Sequence, residues 1–167
     1  MWPAKYFALD PASDHRARQG IYFATRPGVE EPCVDIMGGP LGEALTRGAH
    51  RTAAALLAEG FNLVADEVIL EREELDDYVA VLQDTEVLFV GVRLPFEILV
   101  RRERERGDRM VGLARGHHEQ VHAHGIYDLE VDTSVLSAHE CAERIKDRLE
   151  NGPPPDAFHR LRSALPF

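Results

Sequence analysis

The sequence predicts an α/β fold built on a parallel sheet. Short apolar runs of strand length alternate along the chain with stretches whose apolar residues recur every three or four positions. One run, Thr85–Val92, is almost continuously apolar, which is typical of a strand buried on both faces of a parallel sheet. Because 167 residues with 44% hydrophobic content suffice for one such domain and not for two, we expect a single domain over residues 1–152 and a tail, 153–167, that packs on it.

Four strands are expected, each followed by a charged residue: Lys5–Leu9, Phe61–Ala65, Thr85–Val92 and Tyr127–Val131. The first ends at Asp10-Pro11, since proline has no N–H for the ladder. Residues 11–40 are predicted to be mostly loop because they are rich in glycine, proline and charge. Within that loop, Ile21–Ala24 and Val34–Met37 are either short strands or the walls of a pocket.

Four helices are expected, and local signals mark their ends. Gly60 is placed to cap the first helix in the left-handed conformation that glycine tolerates. Pro95 suits the first turn of the third helix, where its missing N–H does no harm. Ser137 and Glu140 form the capping box of the last helix, which stops at Asn151-Gly152. The predicted helices cover residues 41–59, about 75–82, 95 into the arginine-rich residues that follow, and 137–151.

Composition restricts the class of protein. The formal net charge is −10, with 29 acidic against 19 basic residues, which argues against a nucleic-acid-binding surface. Cys33 and Cys141 lie far apart and in no metal-binding or redox spacing, and no charged-then-apolar signal region opens the chain. No apolar stretch approaches the ~20 residues that a membrane span requires. We therefore expect a reduced, cytoplasmic protein with neither nucleic acid nor membrane as a partner.

Residues 101–109, the arginine segment, hold five arginines in nine positions. Arg106 and Arg109 flank Gly107-Asp108 at the end of a predicted helix, so two guanidinium groups can reach one anion from a flexible turn. The alternative is a solvated helix end, because charge runs usually lie on the surface. In that alternative the arginines pair at helical spacing with the interleaved acids Glu103, Glu105 and Asp108.

A ligand is expected at the ends of the strands, because parallel sheets bind ligands beyond the carboxyl ends of their strands. The residues at these ends are Asp10, Asp66-Glu67, Arg93 and Asp132-Thr133-Ser134. A carboxylate there can hold Mg²⁺ through water or take a proton from an attacking hydroxyl group. Acidic residues are equally common as helix caps and turn formers, so each of them also has a purely structural interpretation.

Several of these motifs together resemble the chloramphenicol phosphotransferase family, which belongs to the P-loop kinases. The likeness extends from about Lys5 to Arg148. The motifs that carry it are Asp66-Glu67-Val68-Ile69-Leu70, Val90-Gly91-Val92-Arg93, Arg106-Gly107-Asp108-Arg109, His122 and Tyr127-Asp128-Leu129-Glu130-Val131-Asp132-Thr133. The resemblance implies a three-layer, P-loop kinase-like fold with a lid at about residues 101–125.

By that resemblance the chain is an ATP-dependent enzyme that phosphorylates a hydroxyl group of a small, antibiotic-like acceptor, with ATP and Mg²⁺ as cofactors. Asp10 takes the place of the general base that deprotonates the acceptor hydroxyl. Asp66 takes the Walker-B-like place near the metal. Arg106 and Arg109 take the places of the lid arginines on the ATP phosphates, and the loop from Gly20 to Gly39 walls the acceptor site.

The sequence departs from the family at a point that bears on catalysis. Members begin with a strand, a G-x-x-x-x-G-K-[ST] loop and a helix, and the printed sequence contains no such loop; Gly38–Gly42 has no lysine after it. That loop supplies the amides and the lysine that hold the phosphates. We therefore expect an N-terminally truncated fold with little catalysis, or alternatively an inactive, kinase-like protein that binds small molecules or other partners.

The missing unit also predicts how the sheet is completed, since two buried strand edges are too costly to leave unpaired. Phe61–Ala65 and Thr85–Val92 should pair directly, be bridged by Val34–Met37, or accept a strand from a neighbouring molecule. The first and last arrangements are the expected ones, and the last makes a homo-oligomer.

Four histidines, His117, His118, His122 and His124, lie within eight residues. On a helix His118 and His122 would share one face, as two metal ligands do. A metal site also needs a third or fourth ligand and an ordered surrounding shell. We therefore expect no metal here and instead a pH-sensitive lid or plain surface.

Overall fold

The computed structural model describes residues 17–108 and 110–164 of the chain. The predicted strand Lys5–Leu9 and the tail residues Leu165 and Phe167 lie outside these ranges. The chain divides into two compact units. The first contains the described residues up to 49 and those between 96 and 118, and the second contains 50–95 and 119–164. None of the helices in the described part of the chain is long and apolar enough to cross a membrane.

The first unit contains a β-hairpin. Strands β1 (Ile21–Thr25) and β2 (Val34–Gly38) pair antiparallel along their full length. Both are rich in β-branched, aromatic and other apolar residues, which favour a pleated surface. A hydrogen bond of 2.8 Å from the N–H of Arg26 to the carbonyl of Cys33 closes the connecting loop. Of the two interpretations of these segments, short strands or pocket walls, the structure therefore supports strands.

Helices α3 (Phe96–Arg106) and α4 (Leu113–His117) also belong to the first unit, and α4 lies against β2. Glycine is required at position 116 because a β-carbon on Gly116 would lie 2.1 Å from a carbonyl oxygen of β2. One residue later, Nε2 of His117 accepts the N–H of Ile36 at 2.9 Å. This short helix is thus fixed to the hairpin by close backbone approach and by a buried side-chain hydrogen bond.

The second unit contains the parallel sheet. Strands β3 (Val90–Arg93) and β4 (Leu129–Asp132) pair in parallel, with Arg93 opposite Asp132 at their carboxyl ends. Parallel pairing between strands that are far apart in sequence confirms the predicted mixed α/β character of the chain. The three-layer arrangement of that fold stays a prediction.

Two of the predicted strands differ in the structure. Phe61–Ala65 forms no strand, residues 61–70 have no regular secondary structure, and Thr85–Val92 becomes a strand only at Val90. The expected direct pairing of the two segments is therefore wrong, and β2 pairs with β1 instead of bridging them. The physical reason is that a strand needs a neighbour for its N–H and C=O groups. No described strand pairs with residues 61–65, and the Val64 side chain there is fully exposed.

The predicted helices are confirmed, and local signals mark their ends. Gly60 has a φ of +87° and donates its N–H to the carbonyl of Leu57 at 2.9 Å, which ends the first helix as predicted. Ser137 and Glu140 exchange the hydrogen bonds of the predicted capping box. Besides α3, these helices are α1 (Pro40–Ala58), which contributes residues to both units, α2 (Arg72–Val81) and α5 (Ala138–Asn151).

The core of the second unit lies between α2 and a last helix, α6 (Ala157–Ser163). Asp128 connects this helix to the sheet, since its carboxylate accepts the N–H groups of Asp156, Ala157 and Phe89 at 2.7, 3.0 and 2.9 Å. The assignment of residues 1–152 to one domain, with a tail at 153–167 that packs on it, stays a prediction. The buried residues of the core are Leu75, Tyr78, Val79, Leu82, Phe158 and Leu161.

Candidate functional site

The structure describes two of the four predicted site residues. Asp10 and Arg109 lie outside the described residues, so their roles stay predictions. Asp66 belongs to the second unit and Arg106 to the first. The side chain of Asp66 is exposed in the irregular segment 61–70, directly after the predicted strand that does not form. Its carboxylate is open to solvent, and its proposed place beside a metal stays a prediction.

Arg106 is the last residue of α3, at the helix end where the sequence predicts it. Gly107 follows with a φ of +62°, a left-handed conformation that turns the chain out of the helix. The Nε atom of Arg106 lies 3.4 Å from a carboxylate oxygen of Asp108, and both side chains are largely exposed. One turn earlier, Arg101 and Glu105 form a similar exposed pair at 3.8 Å. The helix end has an exposed guanidinium group, as the anion-binding interpretation predicts. It also has an acid that pairs with that group, as the solvated-end interpretation predicts.

Glu103 has a role that the sequence analysis missed. The side chain is buried, and its two oxygens accept the N–H groups of Gly112 and Ala114, each at 2.8 Å. In the alternative interpretation of the arginine segment Glu103 would pair with neighbouring arginines, but its carboxylate accepts these two amides instead. A buried carboxylate is stable when both oxygens are hydrogen-bonded, and two backbone amides at the start of α4 meet that need. The signal was present, because Glu103 continues the stripe of Phe96 and Val100 at helical spacing.

Two further arginines of the first unit converge on one acidic residue. Arg104 of α3 lies 3.0 Å from a carboxylate oxygen of Glu31, and Arg115 of α4 lies 3.9 Å from the same oxygen. The guanidinium of Arg115 also lies over the ring of Phe96, 5.2 Å from its centre. This arrangement was not predicted, because it depends on the hairpin loop and two helices that meet only after folding.

Gly38–Gly42, the glycine cluster before α1, serves close packing. The N–H of Gly39 donates to the carbonyl of Gly20 at 2.8 Å, and a β-carbon on Gly39 would lie 1.9 Å from the carbonyl oxygen of Arg18. A β-carbon on Gly42 would likewise lie 2.8 Å from the backbone of Gly20. Because Gly39 and Gly42 have no side chain, neighbouring backbone can approach them closely. This agrees with the interpretation of the segment as an ordinary loop.

The residues at the carboxyl edge of β3 and β4 come together as predicted. Thr133 donates from its N–H to the carbonyl of Arg93 at 3.0 Å, and the carboxylate of Asp132 accepts the N–H of Ser134 at 2.7 Å. The guanidinium of Arg93 pairs with Glu130. Asp132 thus forms the local turn that its structural interpretation predicts. The charged groups of this edge are engaged by their immediate neighbours.

The clustered histidines pack against aromatic rings or form hydrogen bonds. The ring of His118 lies edge-on to Phe96, and Nδ1 of His122 lies 2.7 Å from the hydroxyl of Tyr127. His124 accepts the N–H of Ile126, and burial, followed by the nearby Arg93 charge, lowers the pKa of its imidazole below the ordinary 6.5. Among residues 17–108 and 110–164, no group of three or more His, Cys, Asp or Glu side chains is arranged to hold a metal ion.

A buried histidine pairs with a partly buried carboxylate between α1 and α2 in the second unit. Nδ1 of the buried His50 lies 2.8 Å from a carboxylate oxygen of Asp77, and Arg51 donates to both Asp77 oxygens at 3.1 and 3.3 Å. Burial raises the pKa of Asp77, but the hydrogen bonds from Arg51 and His50 outweigh it, so the net pKa is lowered. No sequence pattern marked this pair, which joins residues 27 positions apart.

Comparison with known proteins agrees with the resemblance seen in the sequence. A family model described as "Chloramphenicol phosphotransferase-like protein" matches residues 10–150. Two Mycobacterium tuberculosis proteins, from strains CDC 1551 / Oshkosh and ATCC 25618 / H37Rv, each carry the name "Putative O-phosphotransferase". Each is 36% identical to this chain over 161 residues, which cover 94% of this chain and 72% of the relative.

Proposed function

The chain belongs to the chloramphenicol phosphotransferase-like family, and on this premise we propose that it acts as an ATP-dependent O-phosphotransferase on a small, antibiotic-like molecule with a hydroxyl group. The observation that carries the proposal is the family match over residues 10–150, which includes the arginine segment and both proposed catalytic aspartates. The reaction forms a bond between the acceptor oxygen and the γ-phosphorus of ATP and breaks the bond to the departing ADP oxygen.

Binding of phosphate groups is assigned to Arg106 and Arg109. A guanidinium presents a planar fork of donors that suits phosphate oxygens. Arg106 supports this assignment because its described ion pair with Asp108 is exposed, and exposed ion pairs contribute little free energy. A phosphate group with two negative charges and three acceptor oxygens can therefore replace the carboxylate at small cost.

The two proposed catalytic aspartates, Asp10 and Asp66, have different roles in this reaction. Asp10 accepts the proton of the attacking hydroxyl group, and Asp66 helps to hold Mg²⁺, which when bound neutralises charge on the transferring phosphoryl group. The exposed carboxylate of Asp66 fits that role, because Mg²⁺ keeps several waters and needs only one or two protein carboxylates besides the phosphates.

A second candidate function is a kinase-like protein that binds small molecules without transferring phosphate. It is favoured by the sequence itself, since these 167 residues contain no G-x-x-x-x-G-K-[ST] loop. The two lysines, Lys5 and Lys146, lie in no glycine-rich segment. Loop amides and a lysine supply much of the electrostatic stabilisation of phosphoryl transfer in P-loop enzymes.

Incubation of the purified chain with ATP, Mg²⁺ and chloramphenicol or related alcohols, followed by phosphorus NMR, separates the two candidates. Formation of a phosphate ester supports the enzyme. In that case Asp10→Asn should lower kcat by about 10²–10⁴-fold and leave ATP affinity unchanged, because the base acts on the acceptor. Binding of ATP or of the alcohol without transfer, measured by calorimetry, supports the second candidate, and absence of transfer and of all binding would contradict each of them.

A further inference from the structure

Arg104 and Arg115 place two guanidinium groups around a single carboxylate in the first unit. Arg104 lies 3.0 Å and Arg115 3.9 Å from the same oxygen of Glu31. The nearby carboxylate of Glu103 is occupied by two backbone amides, so Glu31 is the acid that faces both guanidinium groups. The geometry is that of an anion-binding site in which a side chain of the protein itself is the anion.

The backbones that carry the two arginines, and the side chain of Arg115, are positioned by groups other than Glu31. The buried carboxylate of Glu103, directly before Arg104, holds the backbone at the start of α4 through two hydrogen bonds of 2.8 Å. This contact sets the distance between α3 and α4 and brings Arg115 to the side of Arg104. The guanidinium of Arg115 lies over the ring of Phe96, 5.2 Å from its centre, in a cation–π contact. The cationic pair is therefore built into the fold.

Glu31, in contrast, belongs to the hairpin loop between β1 and β2 and is weakly held. Its side chain is 54% exposed, and those of Arg104 and Arg115 are 56% and 35% exposed. Ion pairs in such solvent contact are weak, because water screens the attraction and two long side chains must be ordered. A stronger anion can therefore displace the Glu31 carboxylate without breaking any buried contact.

We propose that Arg104 and Arg115 form a second phosphate-binding pair, separate from Arg106, for the phosphate groups of a di- or triphosphate, and that Glu31 is a built-in competitor that occupies the pair in the absence of ligand. This inference rests on the proposed function, since it concerns the phosphate-bearing substrate of the same protein. A phosphate group suits the pair better than a carboxylate, because it brings three acceptor oxygens and up to two charges. The competitor lowers the apparent affinity for phosphate.

Titration of the whole chain with inorganic pyrophosphate in a calorimeter tests the proposal. Glu31→Gln removes the competing charge and should tighten pyrophosphate binding by about three- to tenfold. Glu43→Gln is the matched control, because it removes the same charge from an exposed ion pair of the same unit, that of Glu43 with Arg47 on α1. It should change the affinity by less than about twofold, since screened charges contribute little at a distance. Equal effects of the two variants would overturn the proposal.

Substitution of the arginines gives the complementary result. Arg104→Gln and Arg115→Gln should each weaken pyrophosphate binding by about tenfold or more, and Arg104→Gln should cancel the gain of Glu31→Gln. Unchanged melting temperatures would show that these exposed side chains do not act through stability. If Arg106→Ala weakens binding and the Arg104 and Arg115 variants do not, this inference fails while the proposed function stands. If the wild type and every variant fail to bind pyrophosphate, both phosphate sites are rejected.

Discussion

The two units of the chain use their charged residues in different ways. In the first unit, arginines of α3 and α4 pair with carboxylates at the surface, as in the pairs Arg106–Asp108 and Arg104–Glu31. In the second unit, carboxylates are engaged by backbone amides and partly buried side chains, as Asp128 is by three N–H groups and Asp77 by His50 and Arg51. Exposed, exchangeable pairs thus involve the arginines of α3 and α4 in the first unit, whereas the second unit holds, besides exposed pairs such as Arg72–Asp76, carboxylates with a structural role.

This difference has an energetic basis. An exposed ion pair typically contributes less than about 1 kcal/mol, so its carboxylate can be replaced by a ligand. A carboxylate that satisfies buried amides contributes more, because its removal leaves donors without partners. Glu103 is the exception within the first unit, since it is buried and bonded to two amides. Its hydrogen bonds stabilise the packing of α3 against the start of α4, and these two helices carry the exchangeable arginines.

The largest effect on stability is expected at Asp128. Asp128→Ala leaves the N–H groups of Phe89, Asp156 and Ala157 without their acceptor and should lower the free energy of unfolding by about 3 kcal/mol. Urea denaturation measures this change. Asp76→Ala, which breaks only the exposed Arg72–Asp76 pair of the same unit, is the control and should cost about 0.5 kcal/mol or less. Similar losses in the two variants would remove the distinction between structural and exchangeable charges.

A smaller, pH-dependent effect is expected at Asp77. Its pKa is lowered in the folded protein, so the ionised form stabilises the fold above the unfolded pKa of about 3.8, and this contribution is lost as the pH falls through the folded value. Asp77→Asn should therefore cost about 1–3 kcal/mol at neutral pH. The difference from wild type should shrink in strong acid, as measured by denaturation at several pH values. A difference that does not change with pH would show that the charge of Asp77 is not the cause.

The smallest effect is expected for an exchangeable pair. Glu105→Gln breaks the exposed contact with Arg101 and should change the free energy of unfolding by about 0.5 kcal/mol or less, because solvent already screens it. High salt should leave even that small difference undetectable. A loss of 2 kcal/mol or more, in the range of about 1–3 kcal/mol for an unsatisfied buried group, would place the arginine segment among the structural charges.

The elements that the sequence predicted well are those fixed by local chemistry. Gly60 and the Ser137–Glu140 capping box mark helix ends through residues a few positions apart, and both act as predicted. Phe61–Ala65 was predicted as a strand from its apolar residues alone, but a strand also needs a partner, and none of the described strands pairs with it. Local patterns are therefore enough to predict the helices. The strands depend in addition on pairing between segments that are distant in the sequence.

In the candidate site, too, local features could be predicted from the sequence and long-range contacts could not. Arg106 lies at the end of α3, where spacing and the following glycine placed it. The contacts of Glu103 with the start of α4, and of Glu31 with Arg104, join residues that meet only in the folded hairpin and helices. The helical stripe of α3 could have indicated the burial of Glu103, but no pattern in the sequence identifies its amide partners.

If the arginine segment exchanges surface carboxylates for phosphate, loss of the Arg106 guanidinium should weaken ATP binding. Calorimetric titration with ATP compares wild type with Arg106→Ala. Arg160→Ala is the matched control from the second unit, where that guanidinium donates to the carbonyl of Tyr127 at 2.7 Å. We expect Arg106→Ala to weaken ATP binding by at least about 1.5 kcal/mol with little change in stability, and Arg160→Ala to leave the affinity unchanged. Equal ATP affinity in wild type and Arg106→Ala would contradict the claim.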